Sequence, residues 1–389
     1  MKIGINALFF QHPATGSGQY ISHLFAALAK IDSRNEYVLL GPQPVRQQHS
    51  TPFPYQVKTV PGFVANNENM AKVVWEQLTG PAAARQAGVD LFHVPYFAPP
   101  LLPRTPTIIT IHDAIPLRLP PYQTGARVKA YMQLVSRAAH RATMIITVSQ
   151  HAKQDIMEAL KLPPERIRVT YEAAGEEYRP VTDPNILAVT QARYSLGRRY
   201  ILYLGGLDQR KNVPQLVRAF AHLYRRIGDP ELQLLIAGNP EKQSGPLFPD
   251  PRPVAADLGM AGQIIYRFIE EEDKPTIYSG AGLFVFPSLY EGFGLTPLEA
   301  MSCGTPVVCS NRTSLPEVVG DAALCIDPDN VGEMVDAMYR VLTDSTLSAD
   351  LRARSLKRAS QFSWEKTATE TLKVYEETFS RSTKTRRKQ

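Results

Sequence analysis

The chain has 389 residues, 44% hydrophobic and 21% charged, with a formal net charge of +6. A prior of about 150 residues per domain points to two domains, and this composition excludes wholesale disorder, a collagen-like repeat and low complexity. No window reaches the roughly 18 uninterrupted apolar residues of a membrane span.

In chain order, the opening MKIGINALFF is broken by Asn6 and reads as a first strand rather than a secretory signal. Short apolar, β-rich runs then alternate with helix-period segments, the pattern of parallel βα units. The first set of strands is expected at residues 3–7, 37–40, 91–94, 107–111, 144–148 and 167–170. Pro180 and Pro184 bracket a polar break near residues 178–185, and a second set follows at 200–204, 232–237, 264–269, 283–286, 306–309 and 323–326. Ser149 is placed to cap a helix over 150–161, and residues 239–253 form a Pro-rich surface loop. Helical patterns close the chain over 331–379, with a break at Phe362, Ser363 and Trp364. The expected fold is α/β: two Rossmann-like, doubly wound parallel-sheet domains over 1–182 and 183–363. A helix over about 364–380 returns to the first, and 381–389 is a disordered basic tail. Ligands of open parallel sheets sit at the carboxyl ends of strands, so two such domains imply a cleft.

Charge is unevenly spread: residues 1–180 carry 18 Lys/Arg against 12 Asp/Glu, and residues 181–379 carry 20 against 25. The last ten residues carry 5 Lys/Arg and no acid. With no aromatic-interleaved basic stripe, an anionic membrane or a phosphorylated substrate fits the basic half better than nucleic acid. On a helix through 127–141, Arg127, Arg137 and Arg141 share one face while Val128, Met132 and Val135 pack inward. That face is either a peripheral membrane contact or an ordinary solvated stripe. Cys303, Cys309 and Cys325 are odd in number and lack metal-like spacing, which fits a reducing cytoplasm.

The segment FPSLYEGFGLTPLEAMSCGTPVV, residues 286–308, carries the strongest chemical signal. A strand end leads through Glu291, Gly292, Phe293, Gly294 and Leu295 into a helix opening at Thr296 with Pro297 at its first position. Loop and helix-start amides make an anion site, and Glu291 and Glu299 supply two carboxylates suited to a polyhydroxylated ligand. Alternatively, Glu299 bonds back to Thr296 in a capping box and Glu291 is a surface carboxylate. YLGGLDQRKNVPQLVRAF, residues 203–220, puts Arg210 and Lys211 between a strand end and a helix that Asn212 can cap. Gly16, Ser17 and Gly18 precede a helix starting at Gln19, without the third Gly of a dinucleotide fingerprint or a P-loop Lys. IHDAIPL places His112 and Asp113 just beyond a strand. Asp327, Pro328 and Asp329 read as a turn.

Together these motifs resemble the Glu, seven residues, Glu signature of retaining GT-B glycosyltransferases of the family 4 type, nearest to bacterial O-antigen and exopolysaccharide mannosyltransferases. The resemblance implies transfer of a hexose, mannose from GDP-mannose first, to a glycan or lipid-linked glycan acceptor. It implies catalytic roles for Glu291, His112, Arg210 and Lys211. Donor or acceptor contacts fall to Gly16, Ser17, Gly18, Asp113, Gly292, Phe293, Gly294, Leu295 and Glu299. Relatives often have Gly before the aromatic-aliphatic pair where this chain has Arg267, which marks an unusual base pocket. Arg210, rather than Gly206, is expected to carry a charge that many relatives place earlier in the loop. No cofactor and no metal are expected, the cations and helix amides neutralising the leaving diphosphate. A sugar-nucleotide epimerase, a glycosyl phosphorylase and a non-catalytic nucleotide-sugar binder are the rival functions.

Overall fold

The computed structural model describes residues 1–11, 15–44, 52–238, 241 and 245–386. The chain divides into two compact units, one of Met1–Glu172 with the chain from Trp364 onward, the other of Ala173–Ser363.

The first unit is built on β1 (Lys2–Asn6), β2 (Glu36–Gly41), β3 (Tyr55–Val57), β4 (Leu91–Val94), β5 (Thr107–Thr110), β6 (Met144–Thr147) and β7 (Ile167–Val169), in the order β3-β2-β1-β4-β5-β6-β7, all parallel. The second contains β8 (Tyr200–Leu204), β9 (Gln233–Ala237), β10 (Ile264–Arg267), β11 (Leu283–Phe286), β12 (Val307–Ser310) and β13 (Ala323–Ile326). Its order is β10-β9-β8-β11-β12-β13, again all parallel. Chain order reverses between β1 and β4 in one sheet and between β8 and β11 in the other, the positions where doubly wound sheets open a ligand crevice. Parallel strands are covered on both faces, so β4, β5, β6, β11 and β12 are buried at every residue. β3 has no counterpart among the expected strands because it is a three-residue edge strand, largely exposed, with only Val57 aliphatic.

The boundary between units falls at Glu172, ten residues before the expected 182. The following segment packs with the second unit: the Val181 amide donates to Ser279 Oγ at 3.0 Å, and Tyr178 meets Tyr278 edge-on at 6.0 Å. The last helix, Trp364–Arg386, belongs to the first unit and continues past residue 380, so 381–386 are helical rather than a disordered tail. Residues 387–389 of that tail, and 239, 240 and 242–244 of the Pro-rich loop, lie outside the described residues. Tyr375 anchors this helix at the buried His93 of β4, whose Nδ1 lies 2.8 Å from the Tyr375 hydroxyl and Nε2 2.9 Å from Thr110 Oγ1. Burial holds the His93 pKa down at about 3, so this imidazole is a neutral structural link. Arg168 adds a fork onto Glu377 at 3.0 and 2.7 Å.

The basic helix runs over Ala126–Ala139, with His140 as its C-cap. Arg141 therefore lies beyond it, and Val128 is exposed rather than packed inward. Among the described residues no helix is long and apolar enough to cross a membrane.

Candidate active site

In the second unit the loops leaving β8 and β11 flank the switch point, and there the sequence-predicted charges meet. Lys211 Nζ lies 2.6 Å and Arg210 Nη1 2.9 Å from the same Glu291 Oε1, which also accepts from Ser288 Oγ at 2.6 Å. Arg210 Nε pairs with Asp208 at 3.0 Å, while its Nη1 donates to the Tyr290 carbonyl at 2.8 Å. Lys211 Nζ sits 4.7 Å from the Phe286 ring centroid, so an aromatic face supports the ammonium from the end of β11. Burial would raise the Glu291 pKa, but Lys211 and Arg210 outweigh it and hold the carboxyl below its ordinary value. Burial lowers the Lys211 pKa, with Glu291 opposing. Asp208, Arg210, Lys211 and Glu291 sum to no formal charge, which lets four ionised groups share one buried place before any ligand arrives.

Asn212 stands at the N-cap of the Val213–Ile227 helix in a left-handed conformation (φ 60°). Its side chain does not cap as expected; the amide donates instead to the Pro328 carbonyl at 2.8 Å and ties the loop to the turn after β13. That turn holds Asp327 and Asp329, both bound by Arg312, at 2.9 and 2.6 Å. Among the described residues no group of three or more His, Cys, Asp or Glu is arranged to hold a metal.

The Glu291 loop is braced by β12 and its outgoing turn. The Glu291 amide donates to Thr313 Oγ1 at 3.0 Å, and Ser314 Oγ donates to the carbonyls of Glu291 and Phe293 at 3.0 and 2.5 Å. The helix opens at Leu295, one residue before the expected Thr296, with Gly294 as N-cap. Gly294 has φ +124°, a backbone conformation that favours glycine, and a Cβ there would also press on the end of the Leu315 side chain at 2.9 Å. The N-cap is glycine, and among the described residues no side-chain cap bond forms at this helix start. The capping box of Thr296 and Glu299 does not form. Glu299 is buried and its Oε2 accepts from the Tyr278 hydroxyl at 2.9 Å. Burial pushes its pKa up to about 7, Lys274 and the Tyr278 bond offsetting part of the effect. With seven residues between them, the two carboxylates thus shift in opposite directions.

Arg267 ends β10, is exposed, and donates to its own neighbour's carbonyl at Tyr266. With Gly238, Arg252, Tyr266 and Phe268 it lines an open cavity of about 400 Å³ past the ends of β9 and β10. The Tyr266 hydroxyl is buried without a hydrogen-bond partner among the described residues.

In the first unit Gly16, Ser17 and Gly18 are not a loop before a helix but the first turn of the Gly16–Ile31 helix, because Thr15 caps it by accepting from the Gly18 amide at 3.1 Å. His112 stands just past β5 with both ring nitrogens taken. Nδ1 lies 3.0 Å from Glu172 Oε1 and Nε2 3.3 Å from the Pro95 carbonyl, while Tyr20 packs edge-on at 4.7 Å. Two acceptors on one ring favour the imidazolium; burial opposes it, but Glu172 and Asp113 raise the His112 pKa above its ordinary value. With both nitrogens engaged, this ring is neither a free base nor a free donor, and its partners shift it toward the charged form. Asp113 Oδ1 accepts from the Ile115 amide at 2.9 Å and shapes the following turn.

Sequence reasoning missed Glu172, Asp208, Ser288, Thr313 and Tyr278. Asp208 and Ser288 lay beside named residues, and polarity at the end of an apolar strand was the available signal. Tyr278 and Thr313 carried none, because their relevance comes only from packing.

Two doubly wound, all-parallel sheets in two units are the architecture of the GT-B fold. The Glycosyl transferases group 1 family profile matches residues 191–359, and the Glycosyltransferase Family 4 profile matches residues 14–173. The chain is 36% identical over 290 residues to the O-antigen chain mannosyltransferase B of Escherichia coli, covering 73% of this chain and 74% of that protein. It is 32% identical over 270 residues to the E. coli serotype-specific mannosyltransferase WbdA; the match takes in 67% of this chain but only 32% of that longer protein. Among solved structures, sucrose-phosphate synthase from Thermosynechococcus elongatus superposes with a TM-score of 0.74 at 20% identity, over 98% of this chain and 99% of that one. Anabaena Alr3699/HepE in complex with UDP-glucose gives 0.74 at 17% identity, over 97% and 100%. The chain belongs to the group 1, family 4 type glycosyltransferases and is a glycosyltransferase.

Proposed function

We propose that the enzyme transfers a mannosyl residue from GDP-mannose, with retention of anomeric configuration and without a metal, to a glycan or lipid-linked glycan acceptor. The mannosyl choice is supported by the relatives named above. The observation that carries the chemistry is the convergence of Arg210 and Lys211 on Glu291 beside an uncapped helix start. In this reading Arg210, Lys211 and the amides of Gly292, Phe293, Gly294 and Leu295 take the donor diphosphate and neutralise the charge that develops as it leaves. Glu291 holds donor-sugar hydroxyls, Glu299 the ribose, and the cavity beside Arg267 the base. Within the first unit, this reading gives His112 a catalytic role and Asp113 and the Gly16–Ser17–Gly18 turn substrate contacts.

The acceptor hydroxyl attacks the anomeric carbon on the face from which the diphosphate departs. A departing phosphate oxygen receives the hydroxyl proton, so no carboxylate becomes a covalent nucleophile. A screen of nucleotide sugars by thermal shift and product formation, with the product anomer read by NMR, tests this. Stabilisation by a guanine nucleotide and an axial mannoside product support it; a preference for another base or an inverted product removes that part. Peripheral contact with an anionic membrane through Arg127 and Arg137 completes the reading, and salt-sensitive co-sedimentation with phosphatidylglycerol vesicles is its check.

A further inference from the structure

Beyond His112 the first unit holds an open cavity of about 480 Å³ that none of the donor groups touches. One wall is a single face of the Ala126–Ala139 helix: Lys129, Met132, Ser136 and Arg137 line it, at the spacing of successive helical turns. The other wall is the segment carrying Pro116 and Leu117, held by the Leu117 amide on the Ala114 carbonyl at 2.8 Å and by Gln123 Nε2 on the Leu117 carbonyl at 3.0 Å. This segment continues directly from the His112–Asp113 turn, so the cavity and two of the expected site residues share one stretch of chain.

The charges in the cavity are unbalanced. Arg118, in the same segment, is answered by Asp155 and Glu158. Lys129 and Arg137 enter no ion pair among the described residues. The helix that bears them contains no Asp or Glu. Eight residues apart on a helix, their Cα atoms stand about 12 Å from each other, and each side chain reaches roughly half that way. The two cations can therefore close on one anion seated over Met132 and Ser136. An ordinary solvated stripe would have neither a concave wall nor an apolar floor.

We propose that this cavity binds a phosphate or diphosphate ester on the acceptor. Lys129 and Arg137 supply the charge and the Ser136 hydroxyl a hydrogen bond. Pro116, Leu117 and Met132 receive the apolar portion next to the phosphate. The assignment to the acceptor rests on the transferase reading above; the anion site itself does not.

Titration calorimetry of the full-length Lys211→Ala protein, in which the donor site is weakened, with farnesyl diphosphate and with inorganic pyrophosphate tests the site. Both probes are expected to bind, farnesyl diphosphate the more tightly, and the added changes Lys129→Glu and Arg137→Glu should weaken both by about tenfold or more. Equal affinity for the two probes, with the loss retained, assigns the site to a soluble phosphate ester rather than a lipid-linked one. Unchanged affinities after the charge reversal, or binding of neither probe, overturn the proposal. With Lys211 intact, the charge-reversed protein should bind a nucleoside diphosphate as the wild type does, which shows that it is folded. If Lys211→Ala leaves nucleoside diphosphate affinity unchanged while the Lys129 and Arg137 losses persist, the donor reading fails and the anion site stands.

Discussion

At the switch point of the second sheet, four ionised side chains from two loops already neutralise one another, whereas beyond the strand ends of the first sheet the charges are either locked to structural partners or left open. Arg210 and Lys211 meet Glu291 within 3 Å; His112 is held between Glu172 and a carbonyl, and its role is fixed before a ligand comes. The same doubly wound plan therefore supports two kinds of site. A self-neutralised cluster can pass its cations to an incoming diphosphate with little reorganisation, because Glu291 and Asp208 keep them in place meanwhile. An imidazole held at both nitrogens contributes a fixed orientation, with its pKa raised by Glu172 and Asp113 against burial.

The largest expected effect that separates the two is at Lys211. Lys211→Ala should lower kcat/KM by roughly a hundredfold, about 3 kcal/mol of lost stabilisation of the leaving charge. Steady-state kinetics with wild-type values would take Lys211 out of the site and with it the asymmetry between the units.

On the first unit, Glu172→Gln should act through stability and pH more than through donor affinity. A hydrogen bond between charged groups contributes about 2 kcal/mol. Because the folded His112 pKa is raised, the pair stabilises fully below the ordinary imidazole pKa, and its contribution is lost as pH rises through the folded value. The variant should melt several degrees lower at pH 6, by less at pH 9, and its His112 should titrate below the wild-type value by NMR. An equal loss at both pH values would mean that the ring is neutral and Glu172 a packing residue.

Glu299→Gln sharpens the contrast inside the second unit. Its carboxyl keeps a proton to about pH 7 when folded and to about 4.5 when unfolded, so folding stability should fall by about 3 kcal/mol between those pH values and stay level above them. Melting temperatures of the Gln variant should lack that portion of the slope; an unaltered slope would place the titration elsewhere, with Glu76 of the first unit, also raised to about 7 by burial, as the alternative group. The smallest effect is expected from chelation. Activity should be unchanged in excess EDTA, and a complete loss restored by Mg or Mn would require a cation at the leaving diphosphate.

Twelve of the strands were legible as apolar runs because a parallel strand is buried on both faces and needs no partner's identity to declare itself. The loops that carry chemistry were legible too, since Gly, Pro and charged residues gather where a strand stops and a helix starts. What only the tertiary structure decided were pairings across long stretches of chain. Lys211 and Glu291 are 80 residues apart, and His112 and Glu172 are 60 apart; no local period relates such positions. Of the readings offered for Glu299, the capping box required its carboxyl to turn toward Thr296, and the carboxyl faces the interior instead. It turned inward because Gly294 starts the helix earlier and Tyr278 offers a buried donor. Burial acts on both Glu291 and Glu299 more strongly than any single neighbour does, and it has no local signature in the sequence; the charges that folding places beside each carboxyl then send one pKa down and leave the other up.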